Sequence, residues 1–174
     1  CIFLTRKFSL YENQMENKFE SPAHAGELFS DILQNHKVEE LLDQLREPEI
    51  LYENTPFTEL KNIFSSTEQH YFPVVNERGE LTGIFSSNDF RSVLFSQSIE
   101  ELVLVQDIAT SGIITTTPGE DLSTALTKFT TKNIDALPVV REDNPKQLLG
   151  MLRRREVIAF YNQQMEKLGS RRPA

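Results

Sequence analysis

The chain states one pattern twice. Phe72-Pro73-Val74-Val75 returns 65 residues later as Leu137-Pro138-Val139-Val140. Each copy runs through a polar turn into a Gly-centred apolar stretch, Leu81-Thr82-Gly83-Ile84-Phe85 and Leu148-Leu149-Gly150-Met151-Leu152. Each is preceded by Thr-Pro, at Thr55-Pro56 and Thr117-Pro118, opening an amphipathic segment. A period that long, present twice, means two copies of one supersecondary unit packed on each other. The interface between such copies is a natural place for a ligand.

The spacing within each copy gives its elements. Ile50-Leu51-Tyr52 reads as a short strand, and Thr55-Pro56 starts a helix with Leu60, Ile63 and Phe64 on one face. Tyr71 to Val75 and Leu81 to Phe85 read as a hairpin around Asn76-Glu77-Arg78-Gly79-Glu80. Ser86-Ser87-Asn88-Asp89 is dense in helix-capping residues, and Phe90, Val93 and Leu94 continue as a helix. The second copy repeats the order: a strand over Ile113 to Thr116, then a helix with Leu122, Ala125, Leu126 and Phe129 inside. Strands follow at Asp135 to Val140 and Gln147 to Leu152, and the last helix carries Val157, Ile158 and Tyr161. Each unit is β-α-β-β-α and the fold class is α+β. The valines of the two Pro-Val-Val strands are expected to pack on Leu60, Phe64, Leu126 and Phe129.

Outside the repeats, residues 1–37 read as a connector with a short helix around Tyr11 to Lys18. A second helix opens at Ser21-Pro22 and presents Leu28, Phe29, Ile32 and Leu33 on one face. Val38 to Leu45 reads as a short helix opening the first repeat, which spans 38–98. Gln97 to Glu101 links the lobes, the second repeat spans 99–167, and the basic tail 168–174 is expected to fray.

Composition narrows the function. With 39% hydrophobic and 25% charged residues, the 174-residue chain has the make-up of a folded domain. A net charge of −8 disfavours nucleic acid and anionic lipid as partners. A single cysteine, Cys1, permits no internal disulfide and suits a reducing compartment. No run approaches the length of a spanning helix, so no direct membrane insertion is expected. The start at Cys1-Ile2-Phe3-Leu4 without Met reads as a piece of something longer. His24, His36 and His70 are scattered without metal-ligand spacing, and no phosphate-binding glycine loop is present. An enzyme reading has little to stand on.

The repeat order and the run Gly83-Ile84-Phe85-Ser86-Ser87-Asn88-Asp89 resemble the CBS domain, which occurs in tandem and pairs into a disc. The resemblance covers roughly 38 to 165. Ser9-Leu10-Tyr11-Glu12-Asn13-Gln14 and Ser21-Pro22-Ala23-His24-Ala25-Gly26 resemble the connector that follows the last membrane helix of ClC-type chloride channels and chloride/proton exchangers. That likeness implies a non-catalytic regulatory region on the cytoplasmic side of the cell membrane. Its own transmembrane transporter domain would be its partner, and it would form a homodimer. It further implies an adenine nucleotide (AMP, ADP or ATP) as regulatory ligand, with no cofactor required. A purely structural dimerisation module with a degenerate pocket, or the CBS region of another transporter or enzyme, stands as the alternative.

The resemblance also implies a site. Asp89 would hold ribose hydroxyls and Ser86 would lie near phosphate, with Asn88 beside them. Thr115, Thr116, Ile134 and Asp135 would come from the second repeat. Asp135 is a warning, since a carboxylate near phosphates repels them. The bland reading of Ser86 and Asp89 is a helix cap, worth about 1 kcal/mol. Aligning Gly150 with Gly83 sets Arg153, Arg155 and Glu156 where Ser86, Asn88 and Asp89 stand. The related second site would comprise Leu51, Tyr52, Gln69, His70, Arg155 and Glu156, with Tyr52 as a stacking face, and is expected to be degenerate. The run Arg153-Arg154-Arg155 meets a phosphate or acidic partner, or is simply a solvated helix start.

Overall fold

The two Pro-Val-Val segments form buried strands with the same register in both repeats. The computed structural model describes residues 30–94 and 103–169. The expected helix around Tyr11, the linker from Gln97 and the tail beyond Gly169 lie outside them. In the first repeat β1 (Leu51–Tyr52) runs parallel to β2 (Tyr71–Val75), which pairs antiparallel with β3 (Leu81–Ser86). In the second, β4 (Ala136–Val140) pairs antiparallel with β5 (Leu148–Arg153). Val74 sits opposite Gly83 and Val75 opposite Leu81, a bulge repeated with Val139 opposite Gly150 and Val140 opposite Leu148. A shared bulge is a designed feature of the unit, and it ends each hairpin with the same twist.

Proline inside a strand needs a reason. Ile84, opposite Pro73, turns both its N–H and its C=O outward to Thr110, at 3.0 and 2.8 Å. Pro73 therefore forms no bonded pair with Ile84. Its missing N–H faces the side where β1 begins only at the level of Val74, so no ladder bond is lost.

The helices that open and close the units are α1 (Glu39–Leu42), α2 (Phe57–Ser66), α3 (Ser87–Leu94), α4 (Val105–Ile108), α5 (Leu122–Lys132) and α6 (Arg154–Gly169). Residues 30–34 are also helical. Asp121 caps α5 by accepting from the Thr124 N–H at 2.7 Å, and Asn133 ends it in the left-handed region. Thr117-Pro118 thus does not open the second helix as Pro56 opens α2, because a turn through Gly119 and Glu120 intervenes. The expected strand over 113–116 also shrinks to one parallel bridge, Thr116 to Val139. The reason is polar. Thr116 is buried where the first repeat has the apolar Leu51, and its hydroxyl bonds to Glu120. Glu120 in turn takes Lys128 Nζ at 2.6 Å, and that ammonium also donates to the Thr115 carbonyl at 2.9 Å.

Each repeat is completed by the helix that precedes the other. Val38 and Glu39 donate backbone N–H groups to the carbonyls of Glu120 and Pro118, and Leu122 donates to His36, all at 2.9–3.0 Å. The mirror set joins Val105 to Thr55, Gln106 to Glu53 and Phe57 to Val103 at the same distances. The cores follow this exchange. Leu33, Val38 and Leu41 are buried with Leu122, Phe129, Leu137, Val139 and Leu152, while Val105 is buried with Leu51, Leu60, Phe72, Val74 and Phe85. Leu126 and Phe64 pack against these cores from partly buried positions. Phe160 is a core residue, its ring edge-on to His36 at 5.0 Å.

Candidate functional site

Both hairpins run their return strand, β3 or β5, directly into a helix, and the two junctions follow the same plan. Ser87 N–H donates to the carbonyl of His70, and Arg154 N–H donates to that of Asp135, each at 3.0 Å. The residue before β2 or β4 is thereby tied to the start of α3 or α6. Within each junction a carboxylate closes the first helical turn. Asp89 accepts from both the N–H and the hydroxyl of Ser86 at 2.7 Å, and Glu156 accepts from the N–H of Arg153 at 2.7 Å. The extra methylene of Glu156 does not prevent it from capping as Asp89 does.

The two junctions face each other across one cleft of about 850 Å³, within the range of small-molecule sites. Ser86, Ser87, Asn88, Gln69, His70 and Tyr71 line it from the first repeat. Asp135, Ala136, Met151, Arg153, Arg154, Arg155 and Ile158 line it from the second. The two sites expected from the sequence are therefore brought together in part. Ser86, Asn88 and Asp135 of one share the cleft with Gln69, His70 and Arg155 of the other. Asp89 and Glu156, engaged as caps, do not line it, nor do Leu51, Tyr52, Thr115, Thr116 or Ile134. Thr116 and Leu51 are core residues, and Tyr52 is exposed at the strand end away from the cleft. Asp135 does not stand as a bare carboxylate, because Arg154 pairs with it at 2.8 Å.

A third element was not legible in the pattern. The segment between α1 and β1 crosses the mouth of the cleft, contributing Arg46, Glu47 and Glu49. Gln69 staples it to the first repeat: its carbonyl oxygen accepts from the Glu49 N–H at 3.1 Å, and its amide donates to the Glu49 carbonyl at 2.8 Å. Thr67 adds a hydroxyl bond to the Glu49 carboxylate at 3.0 Å. The polar run Ser66-Thr67-Glu68 was the available signal, since its residues follow a helix and precede a core strand, yet nothing in it names the partner. Among the described residues no cluster of His, Cys, Asp and Glu suits a metal ion. No helix among them is long and apolar enough to cross a membrane.

Comparison with known proteins bears on this geometry. The sequence model of the CBS domain matches residues 38–96 and 105–162. The uncharacterized protein MJ1225 of Methanocaldococcus jannaschii is 27% identical over 158 residues, covering 78% of this chain. The chain spans 55% of that relative's length. Among solved structures, the CBS domain pair of protein MJ0100, in complex with 5′-methylthioadenosine and S-adenosyl-L-methionine, superposes with a TM-score of 0.60 at 23% identity. That match covers 74% of this chain and 98% of the other. CBSX2 in complex with AMP superposes with a TM-score of 0.63 at 19% identity, over 75% and 98% of the two chains. At such identities the likeness is one of fold.

Proposed function

The chain belongs to the CBS domain family, and we propose that its tandem pair is a non-catalytic regulatory module taking an adenine nucleotide in the cleft between the repeats. The observation that carries this reading is the cleft itself: two strand-to-helix junctions, one from each repeat, converge on a single cavity of nucleotide size. Asn88, Ser86 and His70 would contact the ligand from one side, and Asp135 and Arg155 from the other. The AMP bound to CBSX2 and the adenosyl ligands bound to the MJ0100 pair support the ligand class.

The regulatory part of the proposal rests on the crossing segment. Residues entering from the N-terminal side dock on the second repeat through Leu33, Val38 and Leu41, then traverse the cleft mouth to the first repeat at Glu49. A ligand that contacts Arg46 or Glu49 changes the energy of the segment whose other end is the connector. We read that connector as the one that follows the membrane domain of a ClC-type chloride transporter. The support is the likeness of residues 9–14 and 21–26, which lie outside the described residues. Sequencing the coding region upstream of Cys1 tests it, and an absence of multiple membrane helices there overturns it. We also read the module as a homodimer. The apolar residues left exposed on α3 and α6 outside the cleft, Leu94 and Leu168, support this. Sedimentation equilibrium showing monomer alone at high micromolar concentration would sink it.

Titration with AMP, ADP and ATP tests the ligand. Binding to the folded state alone at a hundredfold excess over Kd adds about 2.7 kcal/mol of stability, a clear rise in melting temperature. No heat and no thermal shift with any of the three leaves a structural dimerisation module.

A further inference from the structure

The walls of the cleft differ in charge. The second repeat supplies Arg153, Arg154 and Arg155 in succession. Arg46 joins this side of the mouth, because the residue before it, Leu45, lies 3.5 Å from where a Cβ on Gly150 would stand. The first repeat supplies hydroxyl, amide and acidic groups: Ser87, Asn88, Glu68, and Glu49 held there by Thr67 and Gln69.

Internal pairing removes some of the positive charge but not all. Arg154 is matched by Asp135 at 2.8 Å, and Arg153 lies 3.8 Å from Glu156. The side chains of Arg155 and Arg46 make no hydrogen bond or ion pair with any described residue, and both residues line the cavity. Glu47, next to Arg46, offsets part of that charge at the rim and leaves Arg155 unopposed. Guanidinium groups match phosphate oxygens in pairs, and both arginines stand exposed at the cleft, open to a ligand's phosphate.

Resting on the adenine-nucleotide reading above, we propose that the cleft orients its ligand. The phosphate end lies against Arg155 and Arg46 on the second repeat, and the ribose hydroxyls face the acidic and amide groups of the first. The site therefore selects phosphorylated adenosine over the neutral nucleoside, and over a sulfonium such as S-adenosylmethionine, whose positive charge would face the arginines. The replacement of Ser86 by Arg153 and of Asn88 by Arg155 in the second repeat is then a specificity device rather than a loss of function.

The experiment is calorimetric titration of the 174-residue protein with adenosine, AMP, ADP, ATP and S-adenosylmethionine at two salt concentrations. Affinity is expected to rise with phosphate charge and to fall with salt for the phosphorylated ligands, most steeply for ATP, but not for adenosine. Arg155→Ala is expected to weaken ATP about tenfold while leaving adenosine within about twofold, and Arg155→Lys to retain most of the ATP affinity. Arg46→Ala should act in the same direction. Adenosine or S-adenosylmethionine binding as tightly as ATP overturns this inference while the nucleotide reading stands. So does an Arg155→Ala variant that loses adenosine and ATP equally, or neither. Absence of binding by all five compounds overturns both.

Discussion

Leu33→Ala perturbs the second repeat from outside its own sequence span. Leu33 is fully buried, and its neighbours in the core are Leu122, Ala125, Phe129, Leu137 and Val139 rather than any residue of the first repeat's sheet. Truncation removes three carbons' worth of transfer energy and leaves a cavity in a close-packed core, about 3 kcal/mol within the usual range of about 2–5. For a chain of this size each kcal/mol lowers the melting temperature by about 2–4 °C, so a fall of roughly 6–12 °C is expected. The location of the loss matters more than its size. Native-state hydrogen exchange should show protection falling most in β4 and α5, with β2 less affected. Val105→Ala should show the reverse, because Val105 is buried with Leu51, Phe72 and Val74. Protection lost first in β2 for Leu33→Ala, or one pattern for both variants, would refute the exchange of opening helices and with it the route proposed from connector to cleft.

Gly83→Ala places a Cβ 3.3 Å from both the Thr110 carbonyl oxygen and the Ala109 Cβ, so the segment after α4 must give by a few tenths of an ångström, at a cost of about 1–3 kcal/mol. Gly150→Ala meets only the flexible end of Leu45 at 3.5 Å, and thermal melts should show it much the milder of the two. Burial opposes ionisation of Asp121, but hydrogen bonds from the backbone and hydroxyl of Thr124 outweigh it and hold that carboxyl below the usual range. A depressed folded-state value gives stability that is present above the unfolded pKa and lost as pH falls through the folded one. Asp121→Ala should therefore cost about 1 kcal/mol at pH 7, with the gap from the parent closing in acid; a gap that stays constant down to the acid limit contradicts this.

The architecture was legible because each local signal agreed with the next. The duplicated Pro-Val-Val runs and their Gly-centred partners gave β2 to β5, the i, i+3, i+4 spacing gave α2 and α5, and Ser86 to Asp89 announced the start of α3. What failed to show was partnership across sequence. Nothing in Val38-Glu39-Glu40-Leu41 says that it completes the core beside Leu122, because an amphipathic turn names its apolar face and not its counterpart. Thr116 was misread for a related reason. Ile113 to Thr116 has the composition of a strand, and only the fold reveals that Glu120 and Lys128 turn its end into a polar knot. The Gln69 staple on Glu49 spans 20 residues and leaves no periodic trace.

The departure of the second repeat from the first is where sequence and structure together say most. Alignment alone makes Arg153, Arg155 and Glu156 look like decay of a motif. The structure separates two roles which that motif combines. Capping survives in both repeats, through Asp89 in one and Glu156 in the other, so the backbone junction is preserved whichever acid is used. The cleft lining differs between the repeats where capping does not: small hydroxyls and an amide on one wall, guanidinium groups on the other. A duplicated unit begins with two equivalent half-sites on a pseudo-twofold axis, and a nucleotide has no such symmetry. Divergence at the residues that face the cleft gives it two unlike ends while the strand-to-helix junctions stay alike. On that argument, swapping the walls by making Asn88→Arg together with Arg155→Asn, with both caps left intact, should preserve the melting temperature within a few degrees and invert the preferred end for phosphate.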